Sequence, residues 1–442
     1  DCTGPYRVEN LSCDVLCVYT NHTYATSFRS FAHESYTFCV ERTLDALARS
    51  LSLDPLEFRL KNAIRPGDLT PEQVAVTSGL TGNLSLCLDR IKSLSGWDGG
   101  APLSVKADTV RAKGVSCFWK TENPPTNAIS GAFVTFNSDG SVNLLTGVVE
   151  MGSGGHTHLA QLLAERLKID PSQVHVVSEV DTRAAPEHWK TVASLTGYMA
   201  GNAVLRAADD LIAQLRRNGA LALGRDEAEV EVANGRVYSI KNPERFIALG
   251  ALVQGYQAPD GASVGEPALG RGGFMLKGLS FLNPATGKGK TGPQWTLGAQ
   301  VVEVEANLKT YTYRVLTACT VIDVGKVVNP AATRAMVAGG MAMGVSLATR
   351  EAFAYDENGV PRAPNLRTYK LLHIGQEPDY RVDFVETPEP DAPYGTRPYT
   401  EHGVIGIPAA LANALGAAFG CAFDTLPLKP ETLWRTSGGG DP

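Results

Sequence analysis

The sequence predicts an α+β fold of mixed sheets with packed helices. Three observations carry this expectation. β-rich runs are joined by tight turns: in Ala132–Asn137, Ser138-Asp139-Gly140-Ser141 and Val142–Val149, an Asp-Gly step between two such runs marks a hairpin. Apolar residues at three- and four-residue spacing mark amphipathic helices, beginning with Phe38, Leu44, Leu47, Ala48 and Leu51. Strands and helices do not form a βαβ series, and no Gly-x-Gly-x-x-Gly opens a helix behind a strand, which disfavours a Rossmann domain.

In chain order, Val15–Tyr19 alternates weakly and reads as a strand, and a helix spans Glu34–Ser50. Asp54-Pro55-Leu56-Glu57 supplies an N-cap, Pro at N1 and Glu at N3, opening a short helix that stops before Arg65-Pro66-Gly67-Asp68. That Pro-Gly turn is a boundary: residues 1–68 read as the end of one domain and 69–442 as a second. The second holds two α+β subdomains, 100–250 and 295–435, that repeat each other in outline, preceded by a helix at Gly82–Leu94. After the hairpin, the first subdomain continues with a helix at Thr157–Leu167 and a strand at Val174–Ser178. A long helix from Leu195 to Arg217 and a hairpin about Asn234-Gly235 complete it. Residues 259–293, rich in Gly, Pro and Lys, read as a loop insertion. The second subdomain has strands at Ala299–Val304 and Tyr311–Cys319, then an Ala/Met/Gly-rich helix after Asn329-Pro330. A strand at Asp383–Glu386, an irregular loop at Thr387–Arg397 and a helix at Pro408–Phe419 follow.

Composition narrows the function. The chain has 442 residues, 43% hydrophobic and 19% charged, which suits one large or two to three smaller domains with proper cores. A net charge of −6 and the lack of any basic run argue against a nucleic-acid partner. No unbroken apolar stretch approaches the ~18 residues a membrane helix needs, since Gly, Pro and Asn interrupt Ile405–Phe423. The eight cysteines form no Cys-x-x-Cys pair, so a zinc ribbon or a plant-type iron–sulfur ligand set is not expected on this chain. Most of them read as small buried hydrophobes in a reducing cytoplasm.

The most informative stretch is Val149-Glu150-Met151-Gly152-Ser153-Gly154-Gly155-His156-Thr157, where three glycines join a strand-like segment to a helix start. Such a turn bares backbone N–H groups at the positive end of a helix dipole, so it reads either as an anion pocket or as a plain strand-to-helix turn. Gly289-Lys290-Thr291 is not a P-loop, because Pro284 stands where that motif needs Gly.

Six segments then occur in order. They are Ser27-Phe28-Arg29-Ser30-Phe31; Glu41 with Asp54-Pro55, Arg59 and Asn62; Glu150 through Thr157; Thr191-Val192-Ala193-Ser194; Asp323-Val324-Gly325 with Asn329-Pro330; and Gly395-Thr396-Arg397-Pro398-Tyr399-Thr400-Glu401. Together they resemble the molybdopterin-binding subunit of the xanthine oxidase family of molybdenum hydroxylases. The resemblance covers nearly the whole chain.

The resemblance implies a molybdenum–molybdopterin cofactor, in the cytosine dinucleotide form, whose dithiolene holds the metal without a direct protein ligand. It implies cofactor contacts from Gly152, Ser153, Gly154, Gly155, His156, Thr157, Ala193, Ser194, Phe28, Arg29 and Met336. Glu401 becomes the catalytic base, since attack on an electrophilic carbon requires a carboxylate to take the proton of the oxygen nucleophile. Arg29 is the second catalytic candidate, toward the pterin or a substrate oxygen. Phe31 is expected against a planar substrate. Glu122 and Asn123 stand where purine-oxidising members place a second aromatic wall, which argues against a purine. Thr26 stands where carbon-monoxide-oxidising members carry Cys, which excludes that reaction. Ser153, Met336 and Thr400 depart from the family pattern, while Arg397 keeps the charge of a Lys.

The implied reaction is hydroxylation of an N-heteroaromatic carbon with water-derived oxygen. Hydride passes to a terminal sulfido or selenido ligand, and electrons leave through 2Fe-2S and FAD partner subunits. An aldehyde oxidoreductase of the same family and a degenerate, non-catalytic structural subunit are the alternatives. A division of the molybdenum region resembling that of nicotinate dehydrogenase is expected, with the first half on a partner and apolar surface exposed toward it.

Overall fold

The computed structural model describes residues 1–21 and 27–439. Thr26 lies outside them. The chain divides into two compact units. The first holds Asp1–Glu122, Ser280–Glu389 and the chain from Tyr399 on, and the second holds Asn123–Leu279 and Pro390–Pro398. The main helices are α1 (His33–Ser50), α2 (Pro55–Asn62), α3 (Leu84–Ser95), α4 (Gly155–Leu167), α5 (Thr196–Leu223), α6 (Pro330–Thr349) and α7 (Ile407–Phe419). The main strands are β1 (Leu103–Lys106), β2 (Thr109–Thr121), β3 (Ile129–Phe136), β4 (Val142–Thr146) and β5 (Val174–Val176). They continue with β6 (Leu269–Met275), β7 (Trp295–Asn307), β8 (Tyr313–Asp323) and β9 (Asp379–Val385).

The first unit is built on a five-stranded sheet of order β1-β2-β7-β8-β9. β2 and β7 pair antiparallel along their whole length, from Thr121 opposite Trp295 to Thr109 opposite Asn307. Both faces are buried, so side chains that alternate up and down enter two different cores. Val115, Cys117, Trp119, Leu297 and Ala299 pack with Leu84, Leu88 and Ile91 of α3. Phe118, Val302 and Val304 pack with Val337 and Met341 of α6 and Leu411 and Leu415 of α7. Asp323, at the end of β8, is fully buried and accepts the backbone N–H groups of Asn83 (2.9 Å), Gly325 (3.1 Å) and Thr387 (3.0 Å).

One expectation changes here. His402–Phe419 is long and apolar enough to cross a membrane by length and composition, but 94% of it is buried and it serves as a core helix. Pro408 does not break it, because a proline in the first turn removes an N–H that has no helical partner anyway. Asn413 does not break it either, since its Nδ2 donates to the Val115 carbonyl (2.9 Å). By their contacts α1, α2, α3 and β2 fall in one compact unit, packed on one sheet.

The second unit carries a four-stranded sheet of order β6-β3-β4-β5, with β6–β3–β4 antiparallel and β4–β5 parallel. The expected hairpin about Asn234-Gly235 is present as Val230–Ala233 paired with Arg236–Ser239. The supposed loop insertion at 259–293 contains β6, an edge strand. Its glycines are a packing requirement. A Cβ at Gly270 or Gly272 would fall 2.5 or 2.0 Å from the carbonyl oxygen of Ala207 or Ala203, so only glycine lets this strand lie against the backbone of α5. Val15–Tyr19, expected as a strand, pairs with nothing in a sheet and leaves Val15 and Leu16 each 86% exposed.

α1 and α2 are joined by a fully buried ion pair. Arg59 Nε donates to Glu41 Oε2 (2.7 Å), Arg59 Nη2 to the Glu41 carbonyl (2.9 Å), and Tyr6 Oη to Glu41 Oε1 (2.6 Å). Removing one charge of such a pair strands the other in a low-dielectric interior. Glu41→Gln should therefore lower unfolding stability by about 3–5 kcal/mol, seen as a lower denaturant midpoint; an unchanged midpoint would show that the pair contributes nothing.

Candidate active site

The site in the first unit is built around the turn from Tyr399 to Gly406, which presents Glu401 and runs directly into α7. The turn lies against α6 at backbone distance: a Cβ on Gly403 would stand 2.2 Å from the Val337 carbonyl oxygen. From beneath, the sheet face that carries Phe118 also carries polar groups that grip it. Gln300 Nε2 donates to the Gly403 carbonyl (2.8 Å) and to Thr320 Oγ1 (2.9 Å), and its Oε1 accepts the Gly406 N–H (2.7 Å). Ser116 Oγ donates to the Gly406 carbonyl (2.8 Å). A turn that would otherwise bury unpaired backbone groups is thereby satisfied and fixed.

Arg29 holds the residue before the glutamate. Its Nε donates to the Thr400 carbonyl (2.9 Å), and its Nη2 donates to the Met336 carbonyl of α6 (3.0 Å). Burial lowers its pKa, against the pull of the Glu401 charge. Next in sequence come three consecutive non-glycine residues in the left-handed region: Ser30 (φ 85°), Phe31 (φ 56°) and Ala32 (φ 65°). Such backbone costs free energy at each residue and persists where the surroundings impose it. Here it points the Ser30 N–H at Glu401 Oε1 (3.3 Å) and leaves Phe31 67% exposed at the entrance to α1.

Lys120, near the end of β2, completes the cluster. Its Nζ donates to Glu401 Oε2 (2.8 Å) and to Glu122 Oε2 (2.6 Å). The Lys120 and Glu122 side chains are only 1% and 6% exposed, against 21% for Glu401. Burial opposes the Lys120 charge, but Glu122 and Glu401 outweigh it and hold its pKa above the ordinary value. Burial also pushes Glu122 up to about 8, with Glu401 adding and Lys120 opposing. His402 is fully buried, and burial with Lys120 nearby holds its pKa well below the ordinary value. His33 is pushed down to about 4 by burial and Lys120, and its Nδ1–H donates to the Ser30 carbonyl (2.6 Å).

Several sequence expectations change role. Glu122 is no substrate wall: its carboxylate is buried and committed to Lys120. Asn123, in the second unit, is exposed. Phe28 packs against the α6–α7 core instead of presenting a free ring. Met336 and Thr400, which depart from the family pattern, meet Arg29 through backbone carbonyls, so their side chains are immaterial to that contact. Lys120 was missed. The one available signal was a charged residue inside a strand whose neighbours are apolar.

In the second unit the Gly-rich turn is filled by its own glutamate. Glu150 Oε1 accepts the N–H groups of Gly152 (2.8 Å) and Gly154 (3.0 Å), and Oε2 accepts that of His156 (3.2 Å). Burial opposes ionisation of Glu150, but these donors outweigh it and hold its pKa below the ordinary value. His156 Nε2–H donates to the Val148 carbonyl (2.8 Å), pinning the ring to the strand side of the turn. The neighbouring segment is tied in where the Val149 N–H meets Thr191 Oγ1 (3.1 Å), and Ala193 (φ 61°) and Ser194 (φ 54°) are again left-handed.

These residues fit a pterin cofactor that brings its own metal ligands. Gly152 and Gly154 have positive φ, and a Cβ on either would meet nothing within 4 Å, so the turn is an open cradle of backbone. Among the described residues no cluster of His, Cys, Asp and Glu is arranged to hold a metal ion.

Comparison with known proteins agrees. Residues 90–378 match the family described as a molybdopterin cofactor-binding domain, and residues 1–63 match a second family of the same description. The chain belongs to the molybdopterin-binding subunits of the xanthine oxidase family. It is 30% identical over 430 residues to the xanthine dehydrogenase molybdenum-binding subunit of Escherichia coli O157:H7, covering 94% of this chain and 54% of that one. To the gamma subunit of the 6-hydroxypseudooxynicotine dehydrogenase complex of Paenarthrobacter nicotinovorans it is 27% identical over 463 residues, covering 99% and 54%. The crystal structure of quinoline 2-oxidoreductase from Pseudomonas putida 86 shares the fold, with a TM-score of 0.78 at 20% identity over 93% of this chain and 53% of that one. The chain thus spans about half the length of the curated relatives it matches.

Gln300 offers a direct check on how the turn is held. Gln300→Leu would leave the Gly406 N–H and the Gly403 carbonyl unpaired in the core, a cost of roughly 1–3 kcal/mol per group. Amide hydrogen exchange at Gly406 should accelerate accordingly. Exchange as slow as in the parent chain would mean that the turn does not depend on Gln300.

Proposed function

We propose that this chain supplies the general base of a molybdenum hydroxylase that hydroxylates an N-heteroaromatic carbon with water-derived oxygen. The observation that carries this reading is the Glu401 carboxylate. It is gripped through its turn by Gln300 and Arg29, and it is contacted by the backbone of a strained turn whose next residue is an exposed phenylalanine. A molybdenum–pterin group, in the cytosine dinucleotide form, would supply the two-electron oxidant and activate the oxygen. The Gly152–Thr157 turn, Ala193 and Ser194 would hold it in the second unit. The turn's N–H groups at Gly152, Gly154 and His156 already serve Glu150, so a bare phosphate is disfavoured there, and the cofactor would meet the open backbone of Gly152 and Gly154.

The protein's own steps are few. Phe31 offers a flat apolar face against which a planar ring can stack. Glu401 accepts the proton of the attacking oxygen at a carboxylate oxygen as the new C–O bond forms. Ser30 N–H and Lys120 keep that carboxylate aimed. Electrons would pass to 2Fe-2S and FAD subunits. The exposed Val15, Leu16, Val18 and Tyr19 suit a surface that a partner subunit covers. Of the cysteines, Cys87, Cys117 and Cys319 are buried, while Cys2, Cys13, Cys17 and Cys39 are exposed, against the expectation that most would be buried.

Two substitutions test this in the assembled enzyme. Glu401→Gln keeps size and hydrogen bonding but cannot take the proton, so turnover should fall at least ~10²-fold with molybdenum content unchanged. Near-normal turnover at full metal content would favour the non-catalytic alternative. Phe31→Ala should weaken binding of a ring substrate by ~1–3 kcal/mol. In steady-state assays of nicotinate-like rings, purines and aldehydes, turnover of aldehydes alone, indifferent to Phe31, would overturn the heterocycle reading.

A further inference from the structure

The Lys120 cluster has two carboxylates and one ammonium, and the charges do not balance. Glu401 stands at its exposed end and Glu122 at its buried end. Lys120 Nζ lies within hydrogen-bond distance of both, so any charge on Glu122 changes the field that Glu401 feels through a shared partner. We propose that Lys120 and Glu122 are positioning residues that set the basicity of Glu401. With Glu122 protonated, the whole Lys120 charge acts on Glu401 and makes it a weak base. With Glu122 ionised, that charge is shared and Glu401 holds a proton more strongly. This inference rests on the reading of Glu401 as the base.

The surroundings allow the exchange to occur at ordinary pH. Glu122 is pushed up to about 8 by burial, so it passes from acid to carboxylate as pH rises through that value. Lys120 stays charged, its pKa held up by both carboxylates against burial. The remaining groups about the cluster do not compete. Burial drives His402 and, with Lys120, His33 down, and drives Tyr36 up. Arg29 contributes a constant positive charge, and the Glu34 carboxylate accepts the Ser30 hydroxyl. Asp1 Oδ2 lies 3.0 Å from His33 Nε2. The sign follows: ionising Glu122 adds negative charge, Glu401 becomes the stronger base, and kcat/KM rises with pH through about 8.

The experiment uses the assembled enzyme and two readouts. In kcat/KM against pH, the parent should gain roughly tenfold across this step, the equivalent of one unit of basicity. Glu122→Gln, with normal molybdenum content, should stay at the low-pH rate throughout. In infrared difference spectra with carbon-13-labelled glutamate, the parent should show a buried carboxyl titrating near 8. Glu401→Gln should move that band to lower pH, because a neighbouring negative charge has been removed; this readout needs no turnover and no Glu122 variant. A Glu122→Gln enzyme that keeps the parent's pH step, or a band that does not move in Glu401→Gln, overturns the coupling. Retained turnover in Glu401→Gln overturns the base reading instead, so the two failures are told apart.

Discussion

One buried amide fixes the turn that carries Glu401. Gln300 lies on β7 inside a sheet covered on both faces, yet each side-chain hydrogen-bonding atom has a partner, and two of the three contacts go to the turn behind Glu401. An unpaired amide there would cost the core free energy; a paired one turns that cost into positional precision. The turn has little freedom on its other side, because Gly403 touches the backbone of α6 with no room for a side chain. Held between sheet and helix, Glu401 inherits the rigidity of regular structure although it sits on an irregular segment.

Strained backbone marks the same places. Ser30, Phe31 and Ala32 in the first unit, and Ala193 and Ser194 in the second, are runs of left-handed residues without the glycine that would make them easy. Elsewhere in the chain, non-glycine residues of this kind occur mostly singly, at turns and helix ends such as Ser52, Lys168 and Lys370. Consecutive ones need neighbours that over-determine them. For Ser30 those neighbours are Glu401, Glu34 and the His33 ring. Strain and the candidate residues coincide in both units, which is how function-bearing loops differ from ordinary connections.

Much of this was legible in the chain. Hairpins at Asp139-Gly140 and Asn234-Gly235, the helix capped by Asp54, and the Gly-rich turn before α4 announce themselves through local chemistry, because turns and caps depend on a few adjacent residues. What stayed hidden depended on distant residues. β6 looks like a loop until α5 is known to lie against its glycines. Lys120 looks like a solvated strand residue until β2 is known to be buried on both faces and a glutamate 281 positions away is known to reach it. Glu122 stands beside the site, as the sequence suggests, but its buried carboxylate meets the Lys120 ammonium.

Two of the first unit's buried ion clusters differ in how their charges match. Glu41 and Arg59 match one charge with one, and Tyr6 satisfies a remaining carboxylate position. Burial raises the Glu41 pKa while Arg59 and Tyr6 oppose it, and the pair locks α1 to α2. Lys120 faces two carboxylates, so one acid is in excess, and burial makes the inner one reluctant to ionise. Desolvation disfavours an unbalanced cluster in a protein that needs only stability, where apolar residues of similar volume would serve as well or better. Here the less buried carboxylate, Glu401, shares its ammonium with a buried acid whose ionisation changes the field it feels, an arrangement that suits a tuned carboxylate better than a purely structural pair.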